Sequence, residues 1–174
     1  MDVDPRPVLP ELIGNFDDVR AEDEPLRRGP RAYAAIGEMC LCLNLRMASR
    51  AITKIYDEAL KPSGLRATQL TLLTAIAAMG KATISDLSEA LISDRTTLTR
   101  HLDVLAHRGL TVSVPGKDRR TRLVTVTPAG RRAIERALPL WEKAQEFVRE
   151  RLGRRRWEDL FVDISEFVSL TEAK

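Results

Sequence analysis

Apolar residues recur along this chain at helical spacing in six blocks, and a short stretch between the fourth and fifth alternates instead. From Pro30 to Leu60, the residues Tyr33, Ile36, Cys40, Leu43 and Met47 follow three- and four-residue steps, while Cys42, Leu45, Ile52 and Tyr56 mark a second stripe. A helix that is apolar on more than one side has more than one packing partner. Pro62-Ser63-Gly64 ends it. A second helix is predicted over Leu65 to Met79, with Thr68 as its cap, Leu70, Leu73, Ile76 and Ala77 inward and Gly80 as its stop. Thr83 and Asp86 then read as a capping pair for a short helix to Leu91, whose core positions are Ile84, Leu87 and Leu91.

After a turn at Ile92-Ser93, the segment Asp94–Arg108 places Leu98, Leu102 and Leu105 on one face, and Gly109 closes it at the left-handed position. Leu110–Val114 and Arg122–Thr127 alternate on either side of Pro115-Gly116, which predicts a β-hairpin. Thr127-Pro128 opens the next helix, because threonine caps well and proline suits a first turn. That helix passes Ile134, Leu138, Trp141 and Val148 to Leu152, with a bend expected at Pro139. Beyond Gly153 a last helix, Arg154 to about Leu170, is expected to turn Trp157, Leu160, Phe161, Ile164, Phe167 and Val168 inward. The fold class is mainly α (α+β), a helix-turn-helix with a β-hairpin.

Charge sharpens this outline. The net charge is only +3, yet residues 1–30 hold four basic and eight acidic side chains together with five of the nine prolines. Such a segment buries little core and reads as an acidic, proline-rich arm, extended or disordered, either a plain tail or draped over a partner. Residues 95–136 hold ten basic against three acidic side chains, which concentrates the positive excess on the fourth helix, the hairpin and the start of the fifth helix. Localised positive charge suits a polyanion, because neutralised phosphates release condensed counterions.

A short helix, a tight turn and a longer helix form a helix-turn-helix, whose second helix enters the major groove. Its predicted exposed positions are Arg95, Thr96, Thr97, Thr99, Arg100 and His101. Arginine bonds guanine bidentately and threonine touches a thymine methyl, although the same face could simply meet water. The hairpin tip adds Lys117, Arg119, Arg120 and Arg122, cations suited to the narrow, negative minor groove. Asp118 either fixes one of these arginines by a bidentate pair or serves the bend itself.

Other chemistry is sparse. No apolar run approaches the ~20 residues needed to cross a bilayer, and the acidic N-terminus lacks the order of a secretory signal, so a cytoplasmic protein is expected. Two cysteines are too few for a disulfide framework or a four-ligand zinc site, and no cofactor is implied. With His101 and His107 as the only histidines and no Gly-rich phosphate loop, no enzyme is expected.

The hairpin and its flanking helices resemble the MarR (multiple antibiotic resistance regulator) family. The wing motif D-x-R, five residues, L-T-x-x-G appears as Asp118, Arg120, Val126, Thr127 and Gly130, with valine in place of leucine. PSGLRATQLTLLTAIA, ATISDLSEALISDRTTLTRHLDVLAHRGL and TPAGRRAIERALPLWEKAQ are also similar to the family, so the resemblance spans roughly residues 36–170. It implies an obligate homodimer on pseudo-palindromic operator DNA, two recognition helices ~34 Å apart. The implied division is an arm over 1–30, a first dimerisation helix over 31–64, a winged helix-turn-helix over 65–130 and C-terminal dimerisation helices over 131–174. The apolar helices bearing Trp141 and Trp157 independently favour a partner chain.

The resemblance also implies a signal, either a small aromatic ligand or thiol oxidation. Arg46 and Arg50, one turn apart near Met47 and Tyr56, offer an anionic aromatic a cation beside apolar walls, or else form a solvated or salt-bridged surface. Cys40 and Cys42, read within one helix, point ~200° apart and could not join there. Redox sensing would then need a cysteine of the other subunit or a sulfenate, and small buried apolar side chains are the simpler role for both. Arg154-Arg155-Arg156 opposes the dipole of the helix it begins, which suits solvent or an acidic partner such as the arm. A non-sensing architectural DNA binder remains the alternative.

Overall fold

The computed structural model describes residues 40–116 and 121–170. The predicted arm, with Tyr33 and Ile36 beyond it, lies outside the described residues. The chain divides into two compact units between Ile52 and Thr53. Helix α1, Leu41–Leu60, crosses that boundary. In the first unit it carries Leu41, Leu43, Leu45, Met47 and Ile52, all exposed.

The second unit holds the core. A 3-10 turn, Lys61–Ser63, ends α1 at Gly64, whose φ of 72° is the left-handed conformation glycine tolerates best. Helix α2, Ala67–Met79, is apolar nearly all round and buries Leu70, Leu72, Leu73 and Ile76. Leu72 adds to the predicted set, and Ala77 is only half-buried. The cap at Thr68 is not formed. Arg66 holds the cap position, with Gln69 accepting its N–H at 3.1 Å, while Asp57 from α1 accepts the Ala67 N–H at 2.7 Å. A carboxylate from a neighbouring helix thus replaces the local hydroxyl.

Helices α3, Ile84–Ala90, and α4, Arg95–His107, bury Leu87 and then Leu98, Leu102 and Leu105 against the same core. Strands β1, Thr111–Pro115, and β2, Arg122–Val126, pair antiparallel from Thr111↔Val126 to Pro115↔Arg122. The first strand begins one residue later than predicted because the Leu110 N–H bonds back to the Leu105 carbonyl at 2.9 Å. Ala82 adds a bridge to Val124 and anchors the hairpin to the approach to α3.

Helix α5, Pro128–Leu152, continues through Pro139 and buries Ala133, Ala137, Ala144 and Val148, the first two in the same core as α2. Leu138 and Trp141 stay exposed on it. Helix α6, Arg154–Ser169, has no buried residue. Leu160, Phe161, Ile164, Phe167 and Val168 do not turn inward as predicted, and Trp157 is half-buried. The helical period holds, but among the described residues no core faces this stripe. Arg154 and Arg155 pair along the helix with Glu158 at 2.9 Å and Asp159 at 3.9 Å. No helix among the described residues is long and apolar enough to cross a membrane.

Candidate nucleic-acid interface

Two caps set the predicted helix-turn-helix. The Thr83 hydroxyl accepts the Asp86 N–H at 3.1 Å, and the Asp86 carboxylate accepts the Thr83 N–H at 2.8 Å. Asp94 caps α4 by accepting the Thr97 N–H at 2.8 Å. Hydrogen bonds from Thr83, and likewise from Thr97, hold the Asp86 and Asp94 carboxyls below the usual carboxylate range. Between the two helices Ile92 adopts φ 46°, a strained conformation for a β-branched residue. Ser93 stabilises the bend by giving its N–H to the Ser88 carbonyl at 3.0 Å and receiving the Ser88 hydroxyl on its own carbonyl at 2.6 Å.

At about 100° per residue, the leucine stripe of α4 faces the core and the opposite side faces solvent. Arg95, Thr96, Thr99 and Arg100 are exposed there. Thr97 and His101 are half-buried rather than exposed, because they fall on the flank nearer the stripe. The Thr99 hydroxyl donates to the Arg95 carbonyl at 2.7 Å and so presents an acceptor and a methyl group outward. Sequence reasoning misses Asp103, which is exposed one turn beyond Thr99 and Arg100. A carboxylate there suits a cytosine amino group and repels phosphate. His107 bonds the Asp103 carbonyl through Nδ1 at 2.8 Å.

On the wing, Arg122 is exposed opposite Pro115, and the Gly116 N–H reaches the Thr121 carbonyl at 2.8 Å. Lys117, Asp118, Arg119 and Arg120 lie outside the described residues. The base of the wing is better defined. The Thr127 hydroxyl donates to the Gly109 carbonyl at 2.7 Å and accepts the Gly130 N–H at 3.1 Å, while the Thr127 N–H bonds the Leu110 carbonyl at 3.0 Å. A Cβ on Gly130 would stand 2.2 Å from the Leu110 carbonyl oxygen. Thr127 and Gly130 therefore form the joint that holds α5, the wing and the end of α4 together.

The remaining candidates are dispersed. Arg46, Met47 and Arg50 belong to the first unit, and Tyr56 to the second. The Tyr56 hydroxyl donates to Gln145 of α5, and burial pushes its phenol pKa up. None of the four lines the cleft of about 610 Å³ bordered by Arg149, Arg154 and Trp157. Cys42 is exposed and Cys40 half-buried, so neither is the buried apolar side chain expected. Cys40 also precedes α1, where its carbonyl accepts the first helical N–H, from Asn44. Cys40 thus holds the cap position of α1, and the two thiols do not both lie inside the helix.

The MarR family model matches residues 65–121, from the approach to α2 into the hairpin. No curated protein matches the sequence. Among solved structures, the transcriptional regulator MosR of M. tuberculosis in complex with DNA is 36% identical, with a TM-score of 0.70 over 77% of this chain and 97% of that one. A variant of MarR from E. coli with operator DNA has the same fold at 23% identity, TM-score 0.70, over 76% of this chain and 96% of that one. So does BpsR of Bordetella bronchiseptica, in a structure concerned with regulation of its DNA binding by 6-hydroxynicotinic acid, at 24% identity, TM-score 0.67, over 74% and 93%. With a relative 36% identical along nearly its whole length and the family model over residues 65–121, the chain belongs to the MarR family of DNA-binding transcription regulators.

Proposed function

We propose that the protein is a dimeric repressor that binds a pseudo-palindromic operator and is released by a small effector. One observation carries the dimer: α6 buries nothing and exposes Leu160, Phe161, Ile164, Phe167 and Val168 along one face. A contiguous apolar face of this kind marks an interaction site, and a two-fold pair would set two copies of α4 about one DNA turn apart. Residues 31–64 and 131–174 then form the dimerisation region and residues 65–130 the reading head. In that head Arg95, Thr96, Thr97, Thr99, Arg100 and His101 address base edges. Lys117, Arg119, Arg120 and Arg122 address the minor groove, with Asp118 orienting one of the arginines. A cytoplasmic location follows from this role.

For the effector we take a small aromatic acid, the chemical class of the 6-hydroxynicotinic acid that regulates BpsR, with Arg46, Met47, Arg50 and Tyr56 as candidate contacts. A second reading, oxidation at Cys40 and Cys42, is favoured by the exposure of Cys42 and the half-burial of Cys40 at the start of α1. Arg120→Ala is expected to weaken operator binding severely in an intact dimer, and Thr97→Ala or Arg100→Ala to change sequence preference. If every variant instead weakened all duplexes alike, a non-sensing architectural DNA binder would be the better description. Selecting the tightest-bound operator duplex from genomic fragments with the purified protein, then screening aromatic acids and mild oxidants for its release, separates the two effector readings.

A further inference from the structure

Arg108 stands at the C-terminal end of α4, outside the face proposed to meet DNA, and its guanidinium reaches away from its own helix. Nη2 donates to the Gly64 carbonyl at 2.9 Å and Nη1 to the Gln69 side-chain oxygen at 3.1 Å. Gly64 ends the turn after α1, and Gln69 lies in the first turn of α2, where the same oxygen accepts the Arg66 N–H. One planar fork thus ties the end of the recognition helix to the junction between α1 and α2. Its charge also lies beside the Gly64 carbonyl that closes the 3-10 turn, an end at which a cation is favoured. A lysine could satisfy the charge but not the fork, because its ammonium is a point donor.

We infer that Arg108 is a positioning residue for operator recognition: it fixes the pitch of α4 through Gln69 and Gly64 and passes movements of the α1–α2 junction to the reading face. The inference rests on α4 being the DNA-reading helix. Rotation of α4 by a few degrees about its buried leucines would displace Thr96, Thr99 and Arg100 relative to the base edges while leaving the number of phosphate contacts unchanged. The latch therefore acts on specificity, and sequence-independent binding does not depend on it.

The test compares full-chain variants on the selected operator duplex and on a random duplex over a salt series. Arg108→Ala and Arg108→Lys should each weaken operator binding about tenfold, the scale at which coupling residues act, with random-duplex binding and the salt slope unchanged. Gln69→Leu should act in the same direction but more weakly, since the Gly64 bond survives. The double variant Arg108→Ala/Gln69→Leu should bind no worse than Arg108→Ala alone, and Gln69→Glu should bind at least as tightly as the native chain. Native affinity in Arg108→Lys would overturn the inference, and so would additive effects in the double variant. A fall of about one in the salt slope would overturn it too, because that is the signature of a lost phosphate contact. Failure of the underlying reading is distinguishable, since the native chain itself would then show no preference for the operator. Gln69→Leu and Gln69→Glu keep the test open should Arg108→Ala unfold.

Discussion

Gly130 leaves no room for even a methyl group, because the added Cβ would meet the Leu110 carbonyl oxygen at 2.2 Å and Val126 Cγ1 at 2.6 Å. Gly130→Ala must push α5 off the wing base, and chemical denaturation should show a loss of about 2–3 kcal/mol, the upper range for overpacking. An unchanged midpoint would show that the joint yields. Acid sensitivity also belongs to single residues. Asp86 and Asp94 have carboxyls held below the ordinary range by their cap hydrogen bonds. Their contribution is therefore present above the unfolded value of about 3.9 and is lost as pH falls through the folded value. The denaturation midpoint should decline below about pH 4, and Asp86→Asn/Asp94→Asn, which keeps an acceptor at each cap, should flatten that decline. A decline as steep in the double variant would place the acid sensitivity elsewhere.

Elements are legible in the sequence where one pattern suffices. Leu98, Leu102 and Leu105 announce the recognition helix, Thr83 with Asp86 its predecessor, and Thr127-Pro128 the start of α5. What escapes involves partners distant in sequence. Thr68 looks like a cap, yet the acceptor for α2 comes from Asp57 on another helix, and the Arg108 fork spans 44 residues to Gly64. A window of about 11–18 residues holds the first pair without marking Asp57 as the acceptor, and it cannot hold the second. The stripe on α6 reads as core-facing because periodicity reports that a face is apolar and says nothing about which chain covers it. At the scale of the wing, Arg122 is exposed on β2. Arg122→Ala should weaken operator and random duplex together and lower the salt slope by about one, as fluorescence anisotropy over a salt series would record. A loss confined to the operator would mean that Arg122 reads bases.

For the whole molecule the question is what covers α6. Because none of its residues is buried in the single chain, Phe161→Glu or Ile164→Glu should leave the fold intact by circular dichroism. Sedimentation equilibrium should then give half the native mass, and operator binding should fall sharply. Native mass in both variants would assign the interface to other surfaces. A dimer joined in this way would also explain how a reading head with a single 13-residue recognition helix gains both affinity and selectivity, through two-fold repetition.

The most direct measurement titrates the purified full chain against its best genomic duplex and a scrambled duplex at physiological salt, recording affinity and stoichiometry together. The account predicts two chains on the duplex and a preference of roughly 10³ or more over scrambled DNA. A single chain bound per duplex, or nearly equal affinity for both sequences, would contradict it.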